Sequence, residues 1–244
     1  MSDLFFKTEK YEILERKNGD CFIKDIQTGT FYFQKKYFAS KKFPFEEINV
    51  LKWDFKDVFF ISLVIISFYL LWLLLGKIFS HPIEKKPYES IFTMVFVFLN
   101  IILHEFGHAL TLTLWGRRAG KIRLKLYYIF PLVSVDTSDI YIMPKRRGIF
   151  VCYAGVMVNI YLCAMVMLIM PDKVYMLPPV FVLILFSLIP FSGVKTDGYN
   201  LIVRLIFNIN DIKGKKNKVS KFMEFVLNIT LIAIMVNYFY GVFS

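Results

Sequence analysis

Residues 101–115 read "IILHEFGHALTLTLW", an apolar run with three ionisable side chains in its middle, His104, Glu105 and His108. At the centre of a membrane helix an Arg, Lys or Asp side chain costs about 2.5–3.5 kcal/mol on insertion scales. Because membrane helices seldom keep such groups for packing alone, the stretch indicates both a helix embedded in a bilayer and a chemical site within it.

The composition of the whole chain supports a membrane location. Its 244 residues are 57% apolar and 18% aromatic, and the mean hydropathy is +0.53, whereas soluble domains are about 45–50% apolar. The net charge of +11 would also suit nucleic-acid binding. Lys and Arg in a membrane protein concentrate in cytoplasmic loops, so we expect a lipid bilayer as the partner and no nucleic acid.

Five apolar segments have about the 20 residues that a bilayer core requires. They lie at about 58–79, 89–115, 149–170, 177–194 and 222–243. A shorter run at 201–209 is interrupted by Arg204, as in an interfacial helix. The sequence therefore predicts an all-α polytopic membrane domain of about five transmembrane helices over residues 57–244.

Residues 1–56 have a different character, being polar and strand-like. "CFIKDI" and "TFYFQ" are short β-prone runs joined by "QTG", a pattern that predicts a β-hairpin. We expect a small β-rich N-terminal domain over 1–56.

The basic residues predict the orientation in the membrane. Eleven Lys and Arg lie in residues 1–56, eight in 116–148 and seven in 195–221, whereas the two intervening loops carry three and one. Because cytoplasmic loops are rich in Lys and Arg, we expect a multi-pass protein of the cell membrane with a cytoplasmic N-terminus and the C-terminus outside.

Segment 121–143 follows the apolar run that contains the histidines. Its first part, "KIRLKLYY", alternates polar and apolar residues, and "PLVSVDTSDIYI" continues in the same way. This period is typical of strands and predicts a β-hairpin or an extended segment on the cytoplasmic side. The alternative is an ordinary basic loop with some β-propensity.

The spacing of His104, Glu105 and His108 suits a zinc site. On a helix the two histidines lie one turn apart on one face, so they can share a metal ion. Glu105 is displaced by one residue around the helix and can accept a proton from a zinc-bound water without being a ligand. The alternative is a set of polar residues packed in a helical bundle, but two of the three histidines of the chain lie in this motif.

A catalytic zinc needs a third protein ligand as well as an open position for water. The predicted topology places His81 on the opposite side of the membrane from His104. Asp197, in "LIPFSGVKTDGYN", ends the fourth apolar run at its cytoplasmic end. It is the better candidate ligand, although "TDG" is also a common turn sequence.

Three stretches together resemble the site-2 protease family of intramembrane zinc metalloproteases. "HEFGH" lies in an apolar helix, "AGVMVN" (154–159) opens the next span, and "TDG" follows a later span. The resemblance covers about residues 89–200 and implies a three-span catalytic core. Val156 and Thr196 depart from the family, which often has Pro and Leu at these places.

The resemblance also implies roles for individual residues. His104, His108 and Asp197 would bind zinc, and Glu105 would be the general base. Gly155 and Asn159 would line the site, with Asn159 holding substrate backbone.

The residues themselves leave other roles open. Asn159 can instead form an interhelical hydrogen bond, worth about 0.6 kcal/mol. Gly107 and Gly155 can simply allow close helix packing. Asn100, one turn before His104, can form a similar bond or orient a ligand.

The size of the chain and its polar N-terminal region resemble small bacterial peptide zinc metalloproteases of peptide maturation and export. The resemblance implies cleavage of a membrane-bound peptide or single-span precursor, with segment 121–143 capturing the substrate by β-augmentation. Residues 1–56 would be a leader-peptide-binding domain or a cytoplasmic cap. The alternatives are a non-catalytic peptide-binding or export component that keeps the fold, and a metal transporter.

Overall fold

A computed structural model describes residues 4–16, 19–37, 39, 53–80, 89–127, 130–189, 196–206, 225 and 229. This part of the chain is mostly helical, with a four-stranded and a two-stranded β-sheet. Two compact units can be distinguished. The first comprises Met1–Leu63 and Ala109–Val151, and the second Val64–His108 and Cys152–Ser244.

Four helices in the described part of the chain are long and apolar enough to cross a membrane, by length and composition. They are α1 (Phe55–Ser80), α2 (Glu89–Leu114), α3 (Lys145–Ile169), and a 3-10 turn Pro171–Met176 that continues into α4 (Leu177–Leu188). The predicted fifth span at 222–243 lies outside the described residues except for Phe225 and Ile229, and His81 also lies outside them.

The last two described helices differ from their predicted limits. Helix α4 ends at Leu188 because Ile189 has extended backbone with ψ of 125°, so the helix is shorter than the predicted 177–194. A helix is present at the predicted 201–209 as α5 (Asp197–Ile206), and it begins four residues before the predicted start. Residues 207–209 lie outside the described part of the chain. Asp197 is therefore the first residue of a helix.

The N-terminal sheet is a four-stranded antiparallel meander. Its strands are β1 (Leu4–Lys7), β2 (Tyr11–Glu15), β3 (Cys21–Asp25) and β4 (Phe31–Gln34). The predicted hairpin corresponds to β3 and β4, in which Phe22 pairs with Phe33. Strands β1 and β2 extend the sheet. Phe6 on β1 lies opposite Ile13 on β2, and both side chains belong to its apolar core.

The predicted hairpin in segment 121–143 is confirmed. Strand β5 (Ile122–Tyr127) pairs antiparallel with β6 (Phe130–Val135), with Leu124 opposite Val133 and Leu126 opposite Pro131. A 3-10 turn at Ser138–Ile142 follows and leads towards α3. The structure thus decides between the two alternatives that the sequence left open, in favour of the hairpin.

Two partly buried ion pairs join the N-terminal sheet to the segments beside this hairpin. Lys24 Nζ lies 2.6 Å from Asp139 Oδ1, and Arg117 donates to Glu12 Oε2 at 2.8 Å. The backbone N–H of Arg118 also donates to Asp139, at 3.1 Å. The sheet therefore packs within the same compact unit as the residues that follow α2.

A further buried cluster fixes where α1 and α3 begin. Asp54 and Asp57 cap α1 reciprocally, since each backbone N–H donates to the other carboxylate at 3.0–3.1 Å. Asp57 also accepts from Arg147 Nε at 2.9 Å and from Arg146 at 3.0 Å. Removing one partner of such a buried pair costs about 3–5 kcal/mol.

Candidate metal centre

His104 and His108 face each other from successive turns of α2. Both are buried, at 8% and 5% exposure, and their Nε2 atoms are 3.3 Å apart. The spacing of four residues produces this arrangement, because positions i and i+4 lie one above the other on a helix face.

Asp197 approaches the two imidazoles from the start of α5. Its Oδ2 lies 2.8 Å from Nε2 of His104, and its Oδ1 lies 3.3 Å from Nε2 of His108. The structure thus brings together the three residues that the sequence analysis named as candidate ligands, although His104 and Asp197 are 93 residues apart in the chain.

Two neighbours of Asp197 hold it in this position. The Thr196 hydroxyl donates to the carbonyl of Ile189 at 2.7 Å and accepts from the backbone N–H of Tyr199 at 3.4 Å. This is an N-cap of α5 that is also joined to the end of α4. Gly198 packs on the same end, where an added Cβ would clash with the Leu188 carbonyl oxygen.

Neither of these two roles is predicted from the sequence, although the pattern contains a signal for the first. A Thr directly before an acidic residue and an apolar run is typical of a helix N-terminus. In the sequence, Thr196 stands out only as a departure from a family pattern, and "TDG" indicates a turn.

The donor atoms fit a zinc ion. Zinc–ligand bonds of about 2.0–2.1 Å in a tetrahedron place ligand atoms about 3.3 Å from one another. The separations between His108 Nε2 and its two neighbours are both 3.3 Å. The 2.8 Å pair of His104 and Asp197 is at hydrogen-bond distance and would have to widen by a few tenths of an ångström.

Gly155 on α3 provides the space beside these atoms. A Cβ at this position would lie 2.5 Å from Nε2 of His104 and 2.5 Å from Nε2 of His108. Any larger residue would therefore occupy the space next to the Nε2 atoms of both candidate ligands. Gly107 allows a similar approach of α2 to α3, because its Cβ would lie 3.1 Å from the Ala154 carbonyl oxygen.

Glu105 lies beside the histidines and is partly buried. The possible ligand atoms of His104, Glu105 and His108 are all within 4.8 Å of one another. Asp197 lies within 3.3 Å of both imidazoles. This arrangement suits Glu105 for proton transfer next to the metal-binding atoms.

Two buried asparagines have distinct surroundings. Nδ2 of Asn159, on α3, lies 3.2 Å from Nδ1 of His104, on the side of the ring away from Asp197. Nδ2 of Asn100 donates to the backbone carbonyl of Phe96 at 2.9 Å. Asn159 therefore contacts a candidate metal ligand, and Asn100 bonds within its own helix.

Comparison with known proteins identifies a bacterial relative whose name states a function. The chain is 29% identical over 169 residues to the Bacillus subtilis (strain 168) protein named "Putative peptide zinc metalloprotease protein YydH". The match covers 65% of this chain and 64% of that protein, so the chain spans less than two thirds of its relative. No protein-family model and no solved structure match the chain. The similarity supports a relationship to a zinc metalloprotease.

Proposed function

We propose that this chain is an intramembrane zinc metalloendopeptidase, of the site-2 type, that cleaves a membrane-bound peptide or single-span precursor. The observation that carries the proposal is the convergence of His104, His108 and Asp197 next to Glu105. The name of the bacterial relative agrees with this chemistry.

The site residues divide into ligands and a base. His104, His108 and Asp197 would hold the zinc ion, and two neutral imidazoles with one carboxylate leave a net charge of +1. A bound zinc ion lowers the pKa of a water to about 7 and polarises a carbonyl group. Glu105 accepts the proton of the attacking water and delivers it to the leaving amine.

The substrate must be extended at the scissile bond, because a helical amide is hydrogen-bonded within its helix. Strand β5 offers a means of extending it. Ile122 and Leu124 are 74% and 72% exposed, and in the described part of the chain β5 pairs only with β6. An extended peptide can add to such an edge by β-augmentation.

Pro131 indicates which backbone groups of β5 are available. Opposite residues in an antiparallel pair alternate between hydrogen-bonded and non-hydrogen-bonded pairs, and Pro131 has no N–H to exchange. Leu126 opposite Pro131 is therefore a non-hydrogen-bonded pair, and so is Leu124 opposite Val133. The N–H and C=O of Leu124 then point to the free edge, where a substrate strand would bond.

The proposal is tested by separating metal binding from cleavage. We expect Glu105→Gln to keep zinc and to lose cleavage, because the carboxylate moves a proton and is not a ligand. Asp197→Ala should lose zinc as well as cleavage, because two protein ligands are too few for a catalytic zinc. Zinc per protein in detergent measures the first property, and peptidomics of cells with native chain or Glu105→Gln measures the second.

Three contrary results of these measurements have different meanings. Near-native cleavage by Glu105→Gln would contradict the mechanism. Peptidomes that are the same for native chain and Glu105→Gln would favour a non-catalytic peptide-binding or export component. Full zinc occupancy in Asp197→Ala would contradict the three-ligand site.

A further inference from the structure

Asn159 has one satisfied and one unsatisfied amide atom. The residue is 2% exposed, and Nδ2 lies 3.2 Å from Nδ1 of His104. Its Oδ1 is buried and has no hydrogen-bond partner among the described residues. A buried polar atom without a partner costs about 1–3 kcal/mol, so a role that uses Oδ1 would explain why an amide is placed here.

The two tautomers of His104 make different demands on this amide. With the ring proton on Nε2, that N–H donates to Oδ2 of Asp197 at 2.8 Å, and Nδ1 accepts from Nδ2 of Asn159. A histidine that binds a metal through Nε2 carries its proton on Nδ1 instead. Nδ1–H then requires an acceptor, and a half-turn of the Asn159 amide about its Cβ–Cγ bond brings Oδ1 to it.

We propose that Asn159 is a positioning residue of the metal centre, whose Oδ1 accepts the Nδ1–H of His104. It holds the imidazole in the tautomer that presents Nε2 to the metal. This inference rests on the proposed zinc site. An amide suits both tautomers of His104, since it donates to one and accepts from the other, whereas an apolar side chain satisfies neither.

This role differs from the holding of substrate backbone, and the two roles affect different measurements. A residue that only holds substrate changes KM and leaves zinc affinity unaltered. A residue that orients a ligand changes zinc affinity in the absence of any substrate. Partners of this kind typically contribute 10–100-fold to metal affinity.

The test is a zinc titration of the full chain in detergent, in competition with a chromophoric chelator and without substrate. We expect Asn159→Ala to bind zinc about 10–100-fold more weakly than native chain. Asn159→Asp keeps an acceptor for Nδ1–H and should remain within about threefold of native affinity. Asn100→Ala is the matched control, because Asn100 is also buried but bonds to Phe96, and its affinity should be native.

Each contrary outcome has a separate meaning. Native affinity in Asn159→Ala overturns the inference, and so does an equal loss in Asn159→Ala and Asn159→Asp. An equal loss in Asn100→Ala assigns the effect to packing and also overturns it. If Asn159→Ala does not fold, Asn159→Leu replaces it in the same comparison, because it keeps the volume and removes the acceptor. Absence of zinc from native chain would instead contradict the proposed function.

Discussion

At Gly155 the lack of a side chain lets α3 approach both imidazoles. A Cβ at this position would lie 2.5 Å from two nitrogens at once. Real Cβ atoms do not approach so closely, and the same two Nε2 atoms also contact Asp197. The sequence left close helix packing and a role at the site as alternatives for Gly155. Both follow from the same feature, its lack of a side chain.

We predict that Gly155→Ala lowers zinc affinity by at least about tenfold, because the methyl group displaces His104 and His108 from their common position. Zinc per protein after dialysis against a weak chelator measures the effect. Gly76→Ala is the control, since Gly76 lies in helix α1 and no described residue comes within 4 Å of an added Cβ. Equal zinc content in the two variants would contradict the assignment.

At the scale of elements, two short segments carry the proposed functional groups. The N-terminus of α5 is joined to the end of α4 through Thr196 and Gly198, and this fixes the carboxylate of Asp197. Strand β5, in turn, has an exposed apolar side chain at Leu124 and an outward backbone donor at the same residue. These elements control ligand geometry and, by our proposal, substrate geometry.

We predict that Leu124→Pro impairs cleavage more than Leu124→Ala does. Proline removes an N–H that points to the free edge of β5 and leaves the bonds to β6 intact, as Pro131 already does on the other strand. Alanine removes the side chain but keeps the donor. The measurement is the cleavage rate of each variant at equal zinc content and equal thermal stability.

The outcome distinguishes side-chain from backbone recognition. Equal rates for Leu124→Pro and Leu124→Ala would contradict strand addition at β5. Lys125→Pro serves as a second control. It removes an N–H from the ladder with β6 and should lower thermal stability as well as cleavage.

At the scale of the whole molecule, the basic residues predict orientation. The three regions rich in Lys and Arg, with eleven, eight and seven of them, alternate with loops that carry three and one. Four described helices have the length and composition of membrane spans. The predicted fifth span at 222–243 would place the C-terminus on the side opposite to the N-terminus.

We predict that a phosphatase reporter fused after Ser244 is active outside the cell. A fusion after Gly120, in a region rich in basic residues, should be inactive because that region is predicted to stay in the cytoplasm. Reporter activity in whole cells, normalised to the amount of fusion protein, measures both. Activity after Gly120 together with inactivity after Ser244 would invert the predicted topology.

The sequence by itself determined the features that depend on neighbours along the chain. Apolar runs predicted four of the helices to within a few residues at most ends. Alternation indicated strands in segment 121–143 but left an ordinary loop as the alternative, which the pairing of β5 with β6 excludes. The pairing of His104 with His108 follows from four residues of spacing, because one helical turn brings i and i+4 together. Each of these rests on backbone hydrogen bonds within a helix or between adjacent strands.

Only the tertiary structure decided which distant residues meet these histidines. Asp197 lies 93 residues from His104, and Asn159 lies 55 residues from it. Spacing left Asp197 as a ligand or a turn former, and it left the partner of Asn159 open. Such distances depend on how side chains of several helices pack, and on glycines such as Gly155 and Gly198 that permit contacts of backbone with neighbouring groups. The sequence around a glycine does not show which distant residue packs against it.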